Sequence, residues 1–209
     1  MKNETAYHHG HLRAALIRAA ANELERGGYE NLSLRELAAS MDVSRAAPYR
    51  HFVDRRALLA ALATAGFVEL TAHYRKAIRA AGTPSARLAA SGRAYLALAA
   101  KRPQLFRLMF TSDLLTDAPR DPDLLEAAGE CYRAFESLVA ATLDVDDESA
   151  IKAATIAVMS STYGFALLQI GGRIKPFMHG NLSQGDLVET ILSMKVTSLP
   201  GTANRPVRK

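Results

Sequence analysis

One short basic segment carries the side chains best suited to recognising a polyanion. Residues 44–52 read SRAAPYRHF, which brings a hydroxyl, two arginines, a tyrosine and a histidine within about two helical turns. An arginine fork matches the O6 and N7 atoms of guanine, and tyrosine and histidine can donate hydrogen bonds to phosphate oxygens. These residue types at this spacing indicate nucleic-acid recognition.

The residues before this segment predict a helix that would hold it in place. Ser33 and Glu36 have the spacing of a capping box, in which each side chain accepts a hydrogen bond from the other residue's amide. Leu32 and Leu37 stand where a hydrophobic staple would put them. The sequence therefore predicts a helix over residues 33–41.

A tight turn and a second short helix are expected next. Asp42 stands in the turn, where a positive φ is predicted, and Ser44 offers the N-cap of a helix over residues 44–52. Pro48 removes an amide donor near the start of that helix and disfavours α geometry at Ala47. We therefore expect a late start or a tight, 3₁₀-like first turn. This arrangement is typical of a helix-turn-helix that enters the major groove.

Hydrophobic spacing predicts an all-α fold for the whole chain. A stripe of period 3.6 indicates a helix over residues 11–26, ended at Gly27-Gly28, and Asp54 can cap a long fourth helix to about Ala81. No stretch shows the regular alternation of apolar and polar residues that would indicate a strand. Five further helices bring the total to about nine, over about 85–101, 103–112, 122–143, 147–171 and 184–198.

The composition is that of an ordinary globular protein and does not identify a binding partner. The chain has 209 residues, 49% of them hydrophobic, and a net charge of +5, which permits a polyanion partner but does not require one. Cys131 is the only cysteine, so an internal disulfide is excluded and a buried structural thiol is favoured over a redox sensor. Residues 1–11 are polar, so no signal peptide is expected, and the chain suits a reducing cytoplasm.

The uncharged stretch 153–172 is long enough to cross a membrane. It carries many hydroxyl and small side chains, so we interpret it as a buried core or dimer helix.

Catalytic and metal sites are not predicted. His8, His9 and His11 are too closely spaced for two ligands on one helical face, so a metal site is disfavoured. A nucleophile elbow, a phosphate loop and paired carboxylates are all missing from the sequence. We therefore expect no cofactor and no enzymatic activity.

The run VSRAAPYRHFVDRRALL over residues 43–59 resembles the signature of the TetR/AcrR family of bacterial transcriptional regulators. Residues 7–42 are similar to the first two helices of that family. The runs RPQLFRLMF, residues 102–110, and TYGFALLQIGG, residues 162–172, resemble its WHG-type C-terminal domain. Only Gly164 of the Trp-His-Gly triplet is present, with Thr162 and Tyr163 in the other two places.

The resemblance implies which residues contact double-stranded DNA. Arg45 is expected to read a guanine, Ala46 or Ala47 to pack on a thymine methyl group, and Tyr49 and His51 to bind phosphate. Ser33 and Arg55 would add phosphate contacts. The complete predicted set is Ser33, Ser44, Arg45, Ala46, Ala47, Tyr49, Arg50, His51 and Arg55. The alternative for the arginines is a solvated charged face without a partner.

The resemblance also implies an effector pocket and a dimer interface in the C-terminal helices. The predicted pocket, for a hydrophobic effector, is lined by Phe67, Tyr95, Leu98, Phe106, Met109, Phe110, Phe135, Met159 and Tyr163. The same aromatic and aliphatic residues can instead be ordinary core. The predicted dimer interface comprises Ala157, Ser160, Ser161, Gly164, Leu187 and Ile191.

The predicted division is a DNA-binding domain at residues 1–54, a ligand-binding and dimerisation domain at 55–199, and a flexible tail at 200–209. The expected function is a ligand-responsive regulator, most simply a repressor, that binds a pseudo-palindromic operator as a homodimer and is released by a small apolar effector. Two alternatives remain. One is an architectural DNA binder, and the other is a helical ligand-binding protein or enzyme with an incidental helix-turn-helix.

Overall fold

The computed structural model describes residues 9–116, 121–143 and 146–197, with side chains described between 12 and 192. Within those ranges the protein forms α-helices and 3₁₀ turns and no strand, which confirms the predicted all-α class. The helices are α1 (His9–Gly27), α2 (Leu34–Ser40), α3 (Arg55–Arg79), α4 (Pro84–Lys101), α5 (Pro103–Phe110), α6 (Pro122–Leu143), α7 (Glu148–Ile170), α8 (Pro176–His179) and α9 (Gln184–Thr197). The 3₁₀ turns are Tyr29–Asn31 and Pro48–Arg50.

Most predicted helices are confirmed with ends within two residues of the observed ones. The third helix is the exception, and α8 and the Tyr29–Asn31 turn were not expected. The predicted tail at 200–209 and the position of His8 lie outside the described residues, and the side chains of His9 and His11 are likewise not described.

Two compact units make up the chain. The first unit is Met1–Phe67 with Arg102–Ala128, and the second is Val68–Lys101 with Gly129–Lys209. The chain passes from the first unit to the second within α3. The functional division at residues 54 and 55 stays a prediction.

The first unit is built around α1. Leu16, Ala20 and Leu24 lie on one face of this helix and are fully buried, which is the predicted stripe. The helix ends where Gly28 takes a φ of 77°, a conformation that glycine adopts without steric cost.

Side-chain hydrogen bonds fasten α5 and the start of α6 into the same unit. Both oxygens of the Glu25 carboxylate accept from the first turn of α5, at 3.1 Å from the Gln104 amide and 3.0 Å from the Leu105 amide. The Arg56 guanidinium lies 3.0 Å from the Asp121 carboxylate, and only 23% and 14% of these two side chains are exposed. Residues distant in sequence therefore complete the unit that contains the predicted helix-turn-helix.

The second unit is a helical bundle in which α4 packs against α7 and α9. Gly92 permits the close approach of α9, because a Cβ atom at this position would overlap the Leu192 side chain. At the surface, Arg93 donates to Glu189 at 3.0 Å, and Asp147 caps α7 by accepting from the Ser149 amide at 2.9 Å.

Two described helices, α3 and α7, are long and apolar enough to cross a membrane by length and composition alone. Core helices of soluble proteins meet the same criterion, so the observation carries little weight for a membrane role.

Replacing Glu25 with alanine should destabilise the first unit. The N-cap residue of α5, Arg102, supplies no capping hydrogen bond from its side chain, so loss of Glu25 leaves two partly buried amides without an acceptor. We expect Glu25→Ala to lower the free energy of unfolding by about 1–2 kcal/mol in urea denaturation.

Glu23→Ala is the matched control on the same helix. Among the described residues Glu23 pairs only with Arg26, at an exposed position, so its removal should cost at most about 0.5 kcal/mol. Equal losses in the two variants would contradict the capping role of Glu25.

Candidate nucleic-acid interface and effector site

Ser33 holds the start of α2, the first helix of the predicted helix-turn-helix. Its side-chain oxygen accepts from the Glu36 amide at 3.4 Å, so this half of the capping box is confirmed. Leu32 and Leu37 are buried, 5% and 1% exposed, as the predicted staple requires. The cap thus holds α2 against the core of its unit.

The turn after α2 has the expected left-handed residue. Asp42 has a φ of 53°, which confirms the prediction, and aspartate tolerates this conformation better than most non-glycine residues. The Val43 amide then donates to the Ala38 carbonyl at 3.1 Å and redirects the chain. The turn leads directly into residues 44–52.

The predicted α-helix over residues 44–52 is wrong, because two short turns form there instead. The Ala47 amide donates to the Ser44 carbonyl at 2.9 Å, and a 3₁₀ turn follows at Pro48–Arg50. Pro48 has no amide hydrogen, so the hydrogen bond that a regular helix would make to Ser44 cannot form. The expectation of a 3₁₀-like turn caused by Pro48 is therefore confirmed, but the regular helix that should follow it does not form.

Ala47 contradicts a second expectation about this turn. A residue before proline is disfavoured in the α region, yet Ala47 has φ −61° and ψ −45°, which is right-handed helical geometry. Pro48 is buried in the unit, and the Phe52 amide donates to its carbonyl at 2.9 Å. Packing of the proline and this closing bond offset the local steric preference.

Most of the predicted DNA-contacting side chains are open to solvent. Tyr49 is 54% exposed, and the half-buried members are Ser33, Ala47 and His51. The Nε2 atom of His51 is buried without a hydrogen-bond partner among the described residues, so this nitrogen does not face solvent. The exposed members are Ser44, Arg45, Ala46, Tyr49, Arg50 and Arg55.

Arg55 has a structural role that the sequence did not reveal. Its Nε atom donates to the Leu32 carbonyl at 2.8 Å, and its Nη2 atom donates to the Tyr29 carbonyl. The guanidinium thus ties the start of α3 to the chain before α2, and fewer of its donors remain for a phosphate. Its contact with DNA stays a prediction.

Two exposed residues beside this surface are missing from the predicted set. Arg35 lies in the first turn of α2 and is exposed, and Val53 is 82% exposed just after the 3₁₀ turn. Arg35 could have been found from helical spacing, because Leu34 and Leu37 are buried and leave the intervening position outside. Phe52 is buried, with the Arg13 guanidinium 5.3 Å from its ring centroid.

The residues predicted to line one effector pocket divide between the two units. In the first unit, the Phe67 and Phe110 rings lie 5.4 Å apart and the Phe106 and Phe110 rings 4.8 Å apart. Phe106 and Met109 are almost completely buried, at 0% and 2% exposed, so this group has the character of a packed core. The remaining predicted lining residues, Tyr95, Leu98, Phe135, Met159 and Tyr163, belong to the second unit.

Polar groups gather in the interior of the second unit. We call Thr71, Tyr74, Tyr95, Cys131 and Tyr163 the tyrosine–thiol cluster. Its first two members lie on α3 and the others on α4, α6 and α7. Tyr74 stacks obliquely on Phe135, with ring centroids 5.4 Å apart. Met159, in contrast, is 38% exposed on α7.

The surroundings of Tyr74, Tyr95 and Cys131 raise the pKa of each of these three groups. Burial raises the pKa of Tyr74 well above its ordinary value, and the nearby Cys131 and Tyr95 add to the rise. Burial likewise raises the pKa of Tyr95, with further contributions from Tyr163 and Cys131. Burial raises the pKa of the Cys131 thiol to about 11, opposed by a hydrogen bond with Thr71.

The predicted dimer residues on α7 lie on its outward side. Ala157, Ser160 and Ser161 are exposed, and Gly164 is half-buried, with no heavy atom within 4 Å of a Cβ atom placed on it. On α9, Leu187 and Ile191 are half-buried. Their roles stay predictions.

Among the described residues, no three histidine, cysteine, aspartate or glutamate side chains lie close enough together to bind a metal ion.

Two family models match the chain over most of its length. The model described as bacterial regulatory proteins of the tetR family matches residues 16–62, which includes the whole helix-turn-helix. The model described as a tetracyclin repressor-like C-terminal domain matches residues 88–193. The WHG-type assignment within that domain stays a prediction.

Solved structures share the fold along the whole chain. A protein of unknown function from Rhodococcus sp. RHA1 is 32% identical, with a TM-score of 0.76 and coverage of 94% of this chain and 99% of that one. A TetR-family transcriptional regulator from Bordetella parapertussis 12822 is 18% identical, with a TM-score of 0.63 and coverage of 94% and 98%. AibR, in complex with isovaleryl coenzyme A and operator DNA, is 17% identical, with a TM-score of 0.59 and coverage of 90% and 97%. No curated protein matches the chain significantly.

The raised pKa of Cys131 predicts an alkaline loss of stability. The folded thiol has a pKa of about 11, whereas a thiol in an unfolded chain has one of about 8.5. The unfolded state therefore loses this proton first, and the stabilisation by the neutral thiol is lost as the pH rises from about 8.5 to 11. We expect Cys131→Ala to remove about 3 kcal/mol of the fall in unfolding free energy across that window.

Urea denaturation of both proteins at several pH values measures the difference. Because Tyr74 and Tyr95 titrate in the same direction, a residual fall remains in the variant. Identical pH dependence in the two proteins would contradict the assignment.

Proposed function

The chain belongs to the TetR family of ligand-responsive, DNA-binding bacterial regulatory proteins, and from this premise we propose that it is a cytoplasmic repressor that binds an inverted-repeat operator as a homodimer. The observation that carries the proposal is the match over residues 16–62, which spans α2, the turn and residues 44–51, most of which are exposed. Each subunit would place this segment in one major groove, so that the symmetry of the dimer is mirrored in the DNA.

We assign base recognition to the first residues of the segment 44–51. Arg45 and Ala46 stand at its leading end and are exposed, so a guanidinium and a methyl group are available to base edges. Tyr49 and Arg50 follow on the 3₁₀ turn and would bind phosphates, which set the register without reading sequence. Arg35, exposed beside Ser33, would add a further phosphate contact at the start of α2.

Selection of duplexes from a random library by the full-length protein tests the DNA-binding part. We expect enrichment of an inverted repeat, with half-site centres one helical turn or a multiple of it apart. Arg45→Ala should weaken binding to the selected operator by about 10- to 100-fold and relax the preference at one base pair of each half-site.

Arg18→Ala is the matched control, because Arg18 is an exposed arginine on α1 and its removal changes the net charge equally. It should alter affinity by no more than the general salt-dependent term. Enrichment of no symmetric site, or equal effects of the two substitutions, would overturn the assignment.

The dimer is proposed to form on the outward face of α7. Only 33% of the most apolar stretch of this helix is buried within one chain. Ile156 is 59% exposed and Leu168 is 39% exposed, and Gly164 lies between them with open space in front of it. An exposed apolar helix face with a central glycine suits close packing against a second copy.

Gly164→Leu separates dimerisation from folding. The open space at this position accepts a side chain within one subunit, and leucine favours helix more than glycine does by about 0.5–1 kcal/mol. We therefore expect unchanged or raised helix content but a shift from dimer to monomer in sedimentation equilibrium, with loss of operator binding. Leu125→Lys, which changes an apolar residue on α6 that is 51% exposed, should leave the dimer intact. A Gly164→Leu protein that remains dimeric would contradict this interface.

Effector release is proposed to act through α3. This helix runs unbroken from Arg55 to Arg79 and passes from the first unit to the second after Phe67. An effector held by the second unit would change the separation of the two DNA-reading segments, provided that it binds the DNA-incompetent state more tightly. AibR, which has the same fold, has been crystallised with a small molecule and operator DNA together.

A further inference from the structure

The part of the chain that carries the proposed DNA contacts is closed at its base by one side chain. Segment 33–54 contains α2, the turn and residues 44–51. Leu32, which precedes this segment, is 5% exposed, and Arg55 follows it. The Arg55 Nε atom donates to the Leu32 carbonyl at 2.8 Å. One hydrogen bond thus joins the two ends of the helix-turn-helix.

A second bond from the same guanidinium reaches the connection between α1 and α2. The Arg55 Nη2 atom donates to the carbonyl of Tyr29, the first residue of the 3₁₀ turn in this connection. The turn is itself held on the end of α1, because the Asn31 side-chain amide donates to the Gly27 carbonyl at 2.8 Å. Arg55 therefore fixes the start of α3 relative to the end of α1 as well as to the start of α2.

The start of α3 is in turn held by contacts on another side. Arg56 donates to the Leu114 carbonyl at 3.1 Å and lies 3.0 Å from the Asp121 carboxylate. Leu58, in the first turn of the same helix, is fully buried. These contacts fix the backbone from which the Arg55 side chain extends, so its two hydrogen bonds hold the chain before α2 against a firm base.

We propose that Arg55 is a positioning residue for DNA recognition, whose guanidinium closes segment 33–54 and so fixes the orientation of residues 44–51 before DNA binds. This inference rests on the proposed function, because it specifies how the DNA-reading residues are held. Closing a loop of chain removes conformational freedom from it in advance, so less freedom is lost when the segment binds its operator. Arg55 acts through the Leu32 and Tyr29 carbonyls and not through a phosphate.

The chemistry of arginine distinguishes this role from a phosphate contact. The two carbonyls are bonded by the Nε and Nη2 atoms, which present donors in the fixed plane of the guanidinium. A lysine ammonium is a point charge on a flexible stem, so it can neutralise a phosphate but cannot reproduce this planar pair of donors. Lysine at position 55 would therefore keep a phosphate contact and lose the closure of segment 33–54.

Arg55→Lys in the full-length protein tests the proposal against two duplexes of equal length, the operator selected from the random library and a scrambled sequence. We expect the Kd for the operator to rise by about threefold to tenfold. The Kd for the scrambled duplex and the salt dependence of binding should not change, because the charge is kept. Operator binding by Arg55→Lys that equals that of the unsubstituted protein would overturn the proposal and favour a phosphate contact.

The ratio of the two dissociation constants separates positioning from a general loss of structure. A variant that is only less stable has a smaller active fraction, which weakens binding to both duplexes alike and leaves the ratio unchanged. Arg18→Lys is the matched control, because Arg18 is an exposed arginine on α1, and it should keep the ratio of the unsubstituted protein. An unchanged ratio in Arg55→Lys, or an equal change in Arg18→Lys, would refute a positioning role.

Amide hydrogen exchange without DNA separates this proposal from the proposed function. The Ala47 amide donates to the Ser44 carbonyl and the Phe52 amide to the Pro48 carbonyl, so both report on the order of residues 44–52. In Arg55→Lys both amides should exchange at least about threefold faster, with no change in α7. Unchanged exchange at both amides would overturn the proposal. If the unsubstituted protein selects no operator, the proposed function fails, whereas faster exchange in the variant still supports closure by Arg55.

Discussion

The Glu25 carboxylate accepts two hydrogen bonds from the first turn of α5, and these bonds fasten together the unit that contains α2 and residues 44–52. They join residues about eighty positions apart and supply the helix cap that Arg102 does not provide. Because both amides are partly buried, the carboxylate cannot be replaced by water at no cost. Together with the buried residues of α5, this side chain helps to fix α5 against α1.

Local rules predicted much of the fold. The apolar stripe of α1, the Ser33 cap, the positive φ of Asp42 and the cap of α3 by Asp54, at 2.7 Å from the Ala57 amide, all follow from spacing within a few residues. Contacts between residues distant in sequence could not be predicted from local spacing. The Arg55 bonds to the chain before α2 and the division of the predicted pocket between two units depend on how helices pack.

Residues 44–52 show how one residue can alter a predicted element. The sequence predicted a helix there, and Pro48, which lacks an amide donor, leaves two short turns in its place. The side chains of Arg45, Tyr49 and Arg50 remain exposed nonetheless. Sequence was therefore a better guide to which side chains face solvent than to the backbone that carries them, since exposure depends on the buried neighbours Pro48 and Phe52.

The first unit is discontinuous along the chain, and this has a consequence for how such proteins can evolve. A gene segment that ended at Phe67 would encode residues 44–51 without α5 and the start of α6, which belong to the same unit. Exchange of the second unit by recombination would have to preserve three junctions, within α3, before α5 and within α6. Replacement of the second unit is therefore more constrained than it would be if each unit were one continuous stretch of chain.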